Sequence, residues 1–114
     1  MKAIIQKQRQ ICKKYGAPFD PPPPETKVGI ALQTLSLSPI NGMRAPAMPT
    51  TCGWFIYGGE DPSSADDFYQ PLCWEHLEDR CKSVLPFLAL PPGWRFLTDG
   101  AGYVDVWFDE QLLR

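Results

Sequence analysis

The sequence predicts an α+β fold in which a mainly antiparallel sheet of about four strands carries an N-terminal helix and a middle helix. Three short aromatic and β-branched runs, each bounded by glycine or proline, are typical of strands: residues 53–57, 93–98 and 103–108. Three of the four tryptophans lie in these runs, and such rings dominate the energetics of a small core. The order helix, strand, strand, helix, strand, strand favours this class, and we expect the aromatic face of the sheet to form the core.

Residues 1–16 predict the N-terminal helix. Along one side of it, mostly apolar side chains recur at steps of three and four: Met1, Ile4, Ile5, Gln8, Ile11, Cys12 and Tyr15. Gly16 suits the end of this helix, and Pro18 prevents its continuation. The basic residues lie largely off the stripe, which indicates a solvated face with the stripe packed on the sheet. A cationic helix that binds a membrane or nucleic acid is the alternative.

Residues 17–26 predict a proline-rich extended linker within the domain, because consecutive prolines fix φ and forbid helix. A stiff spacer is favoured over a ligand for a polyproline-binding module. Residues 27–35 are the first strand candidate, with apolar side chains that run almost continuously. Residues 36–50 lose all periodicity and predict a long connection. Such connections often carry binding residues, so Met43, Arg44 and Met48 are candidate contacts.

Residues 68–81 predict the middle helix, since apolar side chains recur there at helical spacing. Pro71 marks a break or a new start within it. Residues 84–90 are short and apolar, and they predict a turn or two of helix that covers the sheet. The end of the chain predicts a helical turn capped by Asp109.

Length and charge limit the class of protein. At 114 residues, one domain spanning residues 1–114 is expected. The net charge is only −2, but residues 1–14 carry five basic side chains and no acid, and the remainder holds six basic against thirteen acidic side chains, a balance of −7. An acidic body repels nucleic acid and favours basic partners.

The sequence shows no targeting segment. The apolar run that follows Met1 and Lys2 is too short for a secretory signal, and no run approaches the roughly 18 apolar residues of a membrane span. A cytoplasmic protein without a membrane partner is therefore expected. In that compartment the four cysteines are more often free thiols than disulfides.

The best metal candidate is the spacing Cys73-x2-His76-x4-Cys81, with Cys52 elsewhere in the chain. Zinc sites need four such nitrogen or sulfur ligands, but no Cys-x-x-Cys pair exists, so no metal or other cofactor is expected. His76 is the only histidine, and the chain has no nucleophile elbow, phosphate loop or dinucleotide fingerprint. An enzyme is not expected; a metal-dependent hydrolase centred on His76 is the enzymatic alternative.

Several motifs occur in an order and spacing that resemble a known family. They are residues 53–60 (GWFIYGGE), 90–97 (LPPGWRFL) and 106–109 (VWFD), with shorter likenesses at 27–32, 39–42 and 75–77. Over residues 10–112 the chain resembles bacterial immunity-protein family 33 of polymorphic toxin systems, formerly a domain of unknown function. The resemblance implies a cytoplasmic protein that binds a cognate toxin and masks its active site stoichiometrically. It carries over no catalytic residue and no cofactor.

Aromatic residues and arginine supply most interface energy, and here they occur amid acids. The residues selected for partner binding are Arg44, Trp54, Tyr57, Glu60, Asp61 and Asp105. Trp54 and Tyr57 also fit a core position, and the charged residues also fit a solvated surface. An acidic surface suits a basic toxin domain, since complementary charge speeds encounter. A non-enzymatic module for another protein partner is the alternative function, and the oligomeric state is left open.

Overall fold

Six strands form one mixed sheet that carries a long N-terminal helix on one side. The structure is a computed structural model that describes residues 2–114. Along the chain the helices and strands are α1 (Lys2–Tyr15), β1 (Lys27–Ile30), β2 (Ile40–Arg44), β3 (Thr51–Gly58), β4 (Gln70–Cys73), α2 (Leu77–Arg80), β5 (Trp94–Thr98) and β6 (Val104–Phe108). Across the sheet the strand order is β4-β1-β3-β2-β5-β6. The α+β class is therefore confirmed.

The sheet is larger than predicted and partly parallel. It has six strands where about four were expected, and β1 and β3 run parallel, with Gly29 beside Phe55. All other neighbouring strands are antiparallel. The two strands that were not predicted from the sequence are β2 and β4.

Strand β2 lies in the segment 36–50 that was predicted to be a long connection, and that prediction is wrong. Asn41 and Gly42 are typical turn residues, but both have packing roles inside the strand. The Asn41 amide donates to the Gly59 carbonyl at 2.8 Å. Gly42 leaves room for the ring of Phe96, which any Cβ at this position would strike. Asn41 and Gly42 therefore lie in a strand although the pair is typical of turns. Glycine is required at position 42 because the Phe96 ring occupies the space that a side chain would take.

The predicted middle helix over residues 68–81 is also wrong in most of its length. Residues 70–73 form strand β4, a 3-10 turn follows at Trp74–His76, and α2 has only four residues. Pro71 lacks an N–H, and β4 is an edge strand, where proline is tolerated. The apolar spacing that looked helical arises because Leu72 and Leu77 both pack on the core from different elements.

Helix α1 packs on one side of the sheet against a 3-10 segment, Lys82–Phe87. Buried Gln8 donates from Nε2 to the Leu85 carbonyl at 3.0 Å, and the Cys12 thiol donates to the Ala89 carbonyl at 3.5 Å. Gly16 follows the helix with φ +73°, so the predicted end is confirmed. Ile5 is exposed and lies off the buried stripe. Met1, also placed in that stripe, lies outside the described residues.

The core lies between the sheet and this helical layer. Phe87 and Phe96 stack with ring centroids 4.7 Å apart, and Trp54 meets Phe96 at 5.4 Å. All three tryptophan runs are strands, as predicted. Their rings do not share one face, however, because Trp54 points into the core and Trp107 points to the opposite side of the sheet.

The proline-rich segment is fixed to the body at several points. Asp20 donates its N–H to the Ala89 carbonyl at 2.8 Å, and the Trp74 indole donates to the Pro23 carbonyl at 3.0 Å. At the other end of the chain, Asp109 accepts a hydrogen bond from the N–H of Gln111 and caps a 3-10 turn, as predicted. Within residues 2–114 no helix has the length and apolar character needed to cross a bilayer.

Candidate functional site

One face of the sheet, which we call the covered face, packs against α1 and the 3-10 segment. The other, the open face, has no helix over it among residues 2–114. Alternation along the strands and the cross-strand register place two rows of side chains on the open face. The first row is Gly29, Phe55, Met43, Arg95 and Trp107, and the second is Tyr57, Asn41, Leu97 and Asp105. Each row draws on four or five strands and is thus a product of the whole fold.

An aromatic cluster occupies the β1 side of the open face. The loop after β3 brings Phe68 and Tyr69 over the sheet, where Tyr69 meets Phe55 edge-on at 5.1 Å and Phe68 at 4.8 Å. A Cβ at Gly29 would approach the Phe55 ring to 2.8 Å, so glycine lets the ring lie on β1. Phe55 nevertheless remains 37% exposed. Such half-exposed rings on a rigid strand are typical of binding surfaces.

Arg95 and Trp107 occupy the β6 side. The Arg95 guanidinium lies 5.4 Å from the Trp107 ring centroid, and its Nη1 bonds the Asp109 carboxylate at 3.2 Å. Arg95 Nε and the Tyr69 hydroxyl are buried without a hydrogen-bond partner among the described residues. Burial and then Tyr57 raise the pKa of Tyr69, while the positive charge of Arg95 opposes that shift. An arginine held against an aromatic ring is a frequent centre of interface energy.

Charge is distributed unequally over the two sides of the molecule. Glu60 and Asp61 are exposed in the loop that crosses the open face, and Asp105 is exposed on its second row. Two basic residues, Arg95 and Lys27 at the start of β1, lie on the same side. On the covered side, α1 carries five basic residues and no acid. The open face therefore combines aromatic rings and an arginine with an acidic surround.

A family model described as the Imm33-like domain matches residues 7–109. The chain belongs to the Imm33-like domain family. The matched range begins inside α1 and ends just after β6, so it contains the whole sheet and both rows of the open face. This confirms the resemblance described from the sequence. No curated protein and no solved structure matches the chain.

In this Imm33-like chain, Arg44 is buried on the covered face and is only 3% exposed. Its Nε donates to the Cys52 carbonyl at 2.9 Å, and Nη1 donates to the carbonyls of Asp20 at 2.6 Å and Leu90 at 2.8 Å. Burial lowers the pKa of Arg44, and the nearby Asp20 opposes this shift. We therefore assign Arg44 a structural role, because almost none of it reaches the surface.

The other selected residues divide by exposure. Trp54 is 1% exposed and donates its indole N–H to the Leu88 carbonyl at 2.9 Å. Tyr57 is buried against Phe68. Both are therefore buried, as their alternative interpretation expected: Trp54 lies in the main core, and Tyr57 lies in a smaller buried cluster on the open face. Glu60, Asp61 and Asp105 are exposed, and their contact with a partner stays a prediction.

Sequence reasoning overlooked part of the open face. It missed Phe55, Tyr69 and Arg95 altogether, and it expected the ring of Trp107 to belong to the core. Strict alternation from Trp54 would have placed Phe55 opposite the core. No local signal would have brought Tyr69 to Phe55, because that contact depends on the loop after β3.

Cys52, Cys73, His76 and Cys81, the candidate metal ligands, do not form a metal site. Among residues 2–114 no three His, Cys, Asp or Glu side chains lie close enough together to hold a metal ion. Cys52 is buried beside the Lys27 carbonyl, and His76 is exposed in a 3-10 turn. Burial raises the pKa of the Cys81 thiol, which lies 3.9 Å from the Ser83 hydroxyl. All four cysteines are free thiols.

Proposed function

We propose that this Imm33-like chain is an immunity protein that binds a cognate bacterial toxin domain and neutralises it by masking its active site. Family membership supports an immunity role. The main support for the docking surface is the arrangement of side chains on the open face. There, Met43, Phe55, Arg95 and Trp107 form one row across four adjoining strands. Masking consumes one immunity protein per toxin and needs no catalytic group.

The composition of this row suits a protein interface. Aromatic rings, methionine and arginine are enriched in interface centres, where they lose water on binding. Phe55 is 37% exposed, and Met43 and Trp107 are half-buried. These side chains present apolar area while the sheet limits their motion, so little conformational entropy is lost when a partner covers them.

The surrounding acids indicate the charge of the partner. Glu60, Asp61 and Asp105 are exposed around the rows, and Arg95 is already paired with Asp109. A toxin with a basic surface around its active site would gain favourable long-range attraction to this face. The proposed partner is therefore a cationic toxin domain.

Co-expression tests the proposal. Each candidate toxin domain encoded beside this gene is expressed with and without the chain, and growth rescue is scored together with co-purification at equal stoichiometry. We expect one toxin to be both neutralised and bound. Protection by substoichiometric amounts of purified chain would contradict masking and indicate an enzyme, and a His76→Ala variant that lost protection would point to the same alternative.

A further inference from the structure

The proposed function assigns no role to the free edge of strand β6. Strand β6 pairs with β5 on one side, and within residues 2–114 no strand lies on its other side. We propose that two copies of this chain associate through their β6 edges in antiparallel register and form one continuous sheet. This inference stands independently of toxin binding.

The hydrogen bonds around the β5–β6 hairpin show which backbone groups face outward. Asp109 donates to the Gly93 carbonyl at 2.7 Å, and Asp99 donates to the Tyr103 carbonyl at 3.3 Å. In an antiparallel ladder, hydrogen-bonded residues alternate with residues that turn their N–H and C=O groups away from the neighbouring strand. By this alternation the outward-turned residues of β6 are Val104, Val106 and Phe108.

This edge lacks proline, lysine and a bulge, and Asp105 is the one charged residue in the strand. Natural edge strands carry proline, lysine or a bulge that discourages a second strand. The opposite edge, β4, contains Pro71, whereas β6 has neither proline nor lysine and pairs with β5 in unbroken register. Apolar side chains in the strand and just before it are also exposed: Val104 by 38%, Phe108 by 50% and the preceding Tyr103 by 56%.

The sequence of β6 is complementary to itself. When two copies run antiparallel about Val106, each Val104 lies opposite Phe108 of the second copy, and all outward backbone groups find partners. Asp105 then lies opposite Trp107 of the second copy. Sliding the strands by two residues would set Asp105 against Asp105, or Trp107 against Trp107, and would leave backbone groups unpaired. Like charges directly opposite are unfavourable, so one register and a twofold, isologous contact result.

Charge near the edge agrees with the same register. A groove of about 470 Å³ between α1 and the β5–β6 hairpin is lined by Lys7, Lys14 and Val104 together with both polar and apolar residues. The antiparallel arrangement directs the segment after Phe108 of the second copy, which carries Glu110, towards the Val104 end of the strand. Glu110 pairs with Arg114 of its own chain at 3.4 Å, and the antiparallel arrangement brings it to the side of a helix that has basic residues and no acid.

Molar mass in solution tests the proposal on the full chain. We expect light scattering to give twice the mass of one chain, with dissociation on dilution. Val106→Pro removes an outward N–H and no bond to β5, so it should halve the mass. Leu37→Lys, which replaces another exposed apolar residue, should leave the dimer intact. A wild-type chain that stays monomeric at every soluble concentration would overturn the proposal.

Two further variants keep the test decisive if Val106→Pro does not fold. Val104→Lys, with folding checked by circular dichroism, should also halve the mass, and a folded dimeric variant would contradict edge pairing. In a background with Cys73→Ser and Cys81→Ser, a mixture of Asp105→Cys and Trp107→Cys chains should form a disulfide-linked dimer, because that pair has Cα atoms about 4.5 Å apart. Equal cross-linking by Asp105→Cys alone would exclude the register.

Discussion

At the scale of single residues, the structure separates two kinds of arginine. Arg44 is enclosed on the covered face, where its guanidinium joins the β2–β3 region to the proline-rich segment and to the backbone before β5. Arg95 lies half-buried on the open face, over Trp107 and paired with Asp109. Both follow from strand alternation, which sends the Arg44 side chain into the core and the Arg95 side chain away from it.

Replacing Arg44 should cost stability. In Arg44→Met, the carbonyls of Asp20, Cys52 and Leu90 lose a buried donor, and we expect the free energy of unfolding to fall by about 3 kcal/mol or more. Urea denaturation measures this change. Arg80→Met removes an exposed guanidinium and should change stability by no more than about 0.5 kcal/mol. Equal effects of the two substitutions would show that the Arg44 hydrogen bonds are not structural.

Asp99 should titrate at unusually low pH. Its carboxylate accepts the N–H groups of Ala101 at 2.8 Å and Tyr103 at 3.0 Å, and these bonds lower its pKa. Because the folded pKa is depressed, the resulting stabilisation is present above the unfolded pKa and is lost as pH falls through the folded value. Carboxyl ¹³C NMR of the folded protein, compared with a peptide of residues 97–105, should show the lower midpoint. Coincident midpoints would rule out the capping bonds.

At the scale of elements, packing on the covered face depends on complementary side-chain sizes on neighbouring strands. Gly42 in β2 lies beside Phe96 in β5, and the missing side chain is what admits the ring. Phe96 in turn contacts Phe87 and Trp54. The second strand, the fifth strand and the 3-10 segment are thereby fixed relative to one another.

A double-mutant cycle tests this fit. Gly42→Ala inserts a methyl group where the Phe96 ring lies, and overpacking of this kind destabilises by about 2 kcal/mol. Phe96→Leu also destabilises, because it removes stacking and buried area. In the double variant the smaller side chain makes room for the methyl group, so the loss in unfolding free energy should be less than the sum of the two single losses. Strict additivity would mean that the two positions do not compete for space.

Local sequence patterns predict α1, the tryptophan-bearing strands and the capped final turn, because each depends on neighbours within a few residues. They do not predict β2 or β4. Asn41 and Gly42 resemble a turn, and Pro71 with its helical-looking neighbours resembles a broken helix. The open face is harder still to foresee, since β3 buries residues on both sides, including Trp54 and Tyr57, and hides the alternation that would single out Phe55.

At the scale of the whole molecule, the two sides of the sheet differ in charge and in cover. The covered side has α1 with its basic residues, and the open side has aromatic rings with exposed acids such as Glu60 and Asp105. For the cationic toxin proposed above, the acids of the open side favour approach from that side, and the basic residues of α1 disfavour approach along that helix.

Reversing one acid on the open side should slow association. Asp105→Lys weakens the attraction to a cationic toxin, and we expect the association rate at low salt to drop roughly three- to tenfold, with less effect at high salt. Stopped-flow fluorescence measures the rate. Asp79→Lys makes the same charge change on α2, on the covered side, and should have a smaller effect. A larger effect from Asp79→Lys would place the partner on the covered side.

Binding of purified toxin to two exposure-matched variants tests the proposed docking face most directly. Phe55 on the open face is 37% exposed, and Ile5 on α1 is 42% exposed. Titration calorimetry should show that Phe55→Ala weakens toxin binding about 30-fold, equivalent to about 2 kcal/mol, whereas Ile5→Ala binds like the wild type. Unchanged binding by Phe55→Ala together with a loss in Ile5→Ala would contradict docking on the open face.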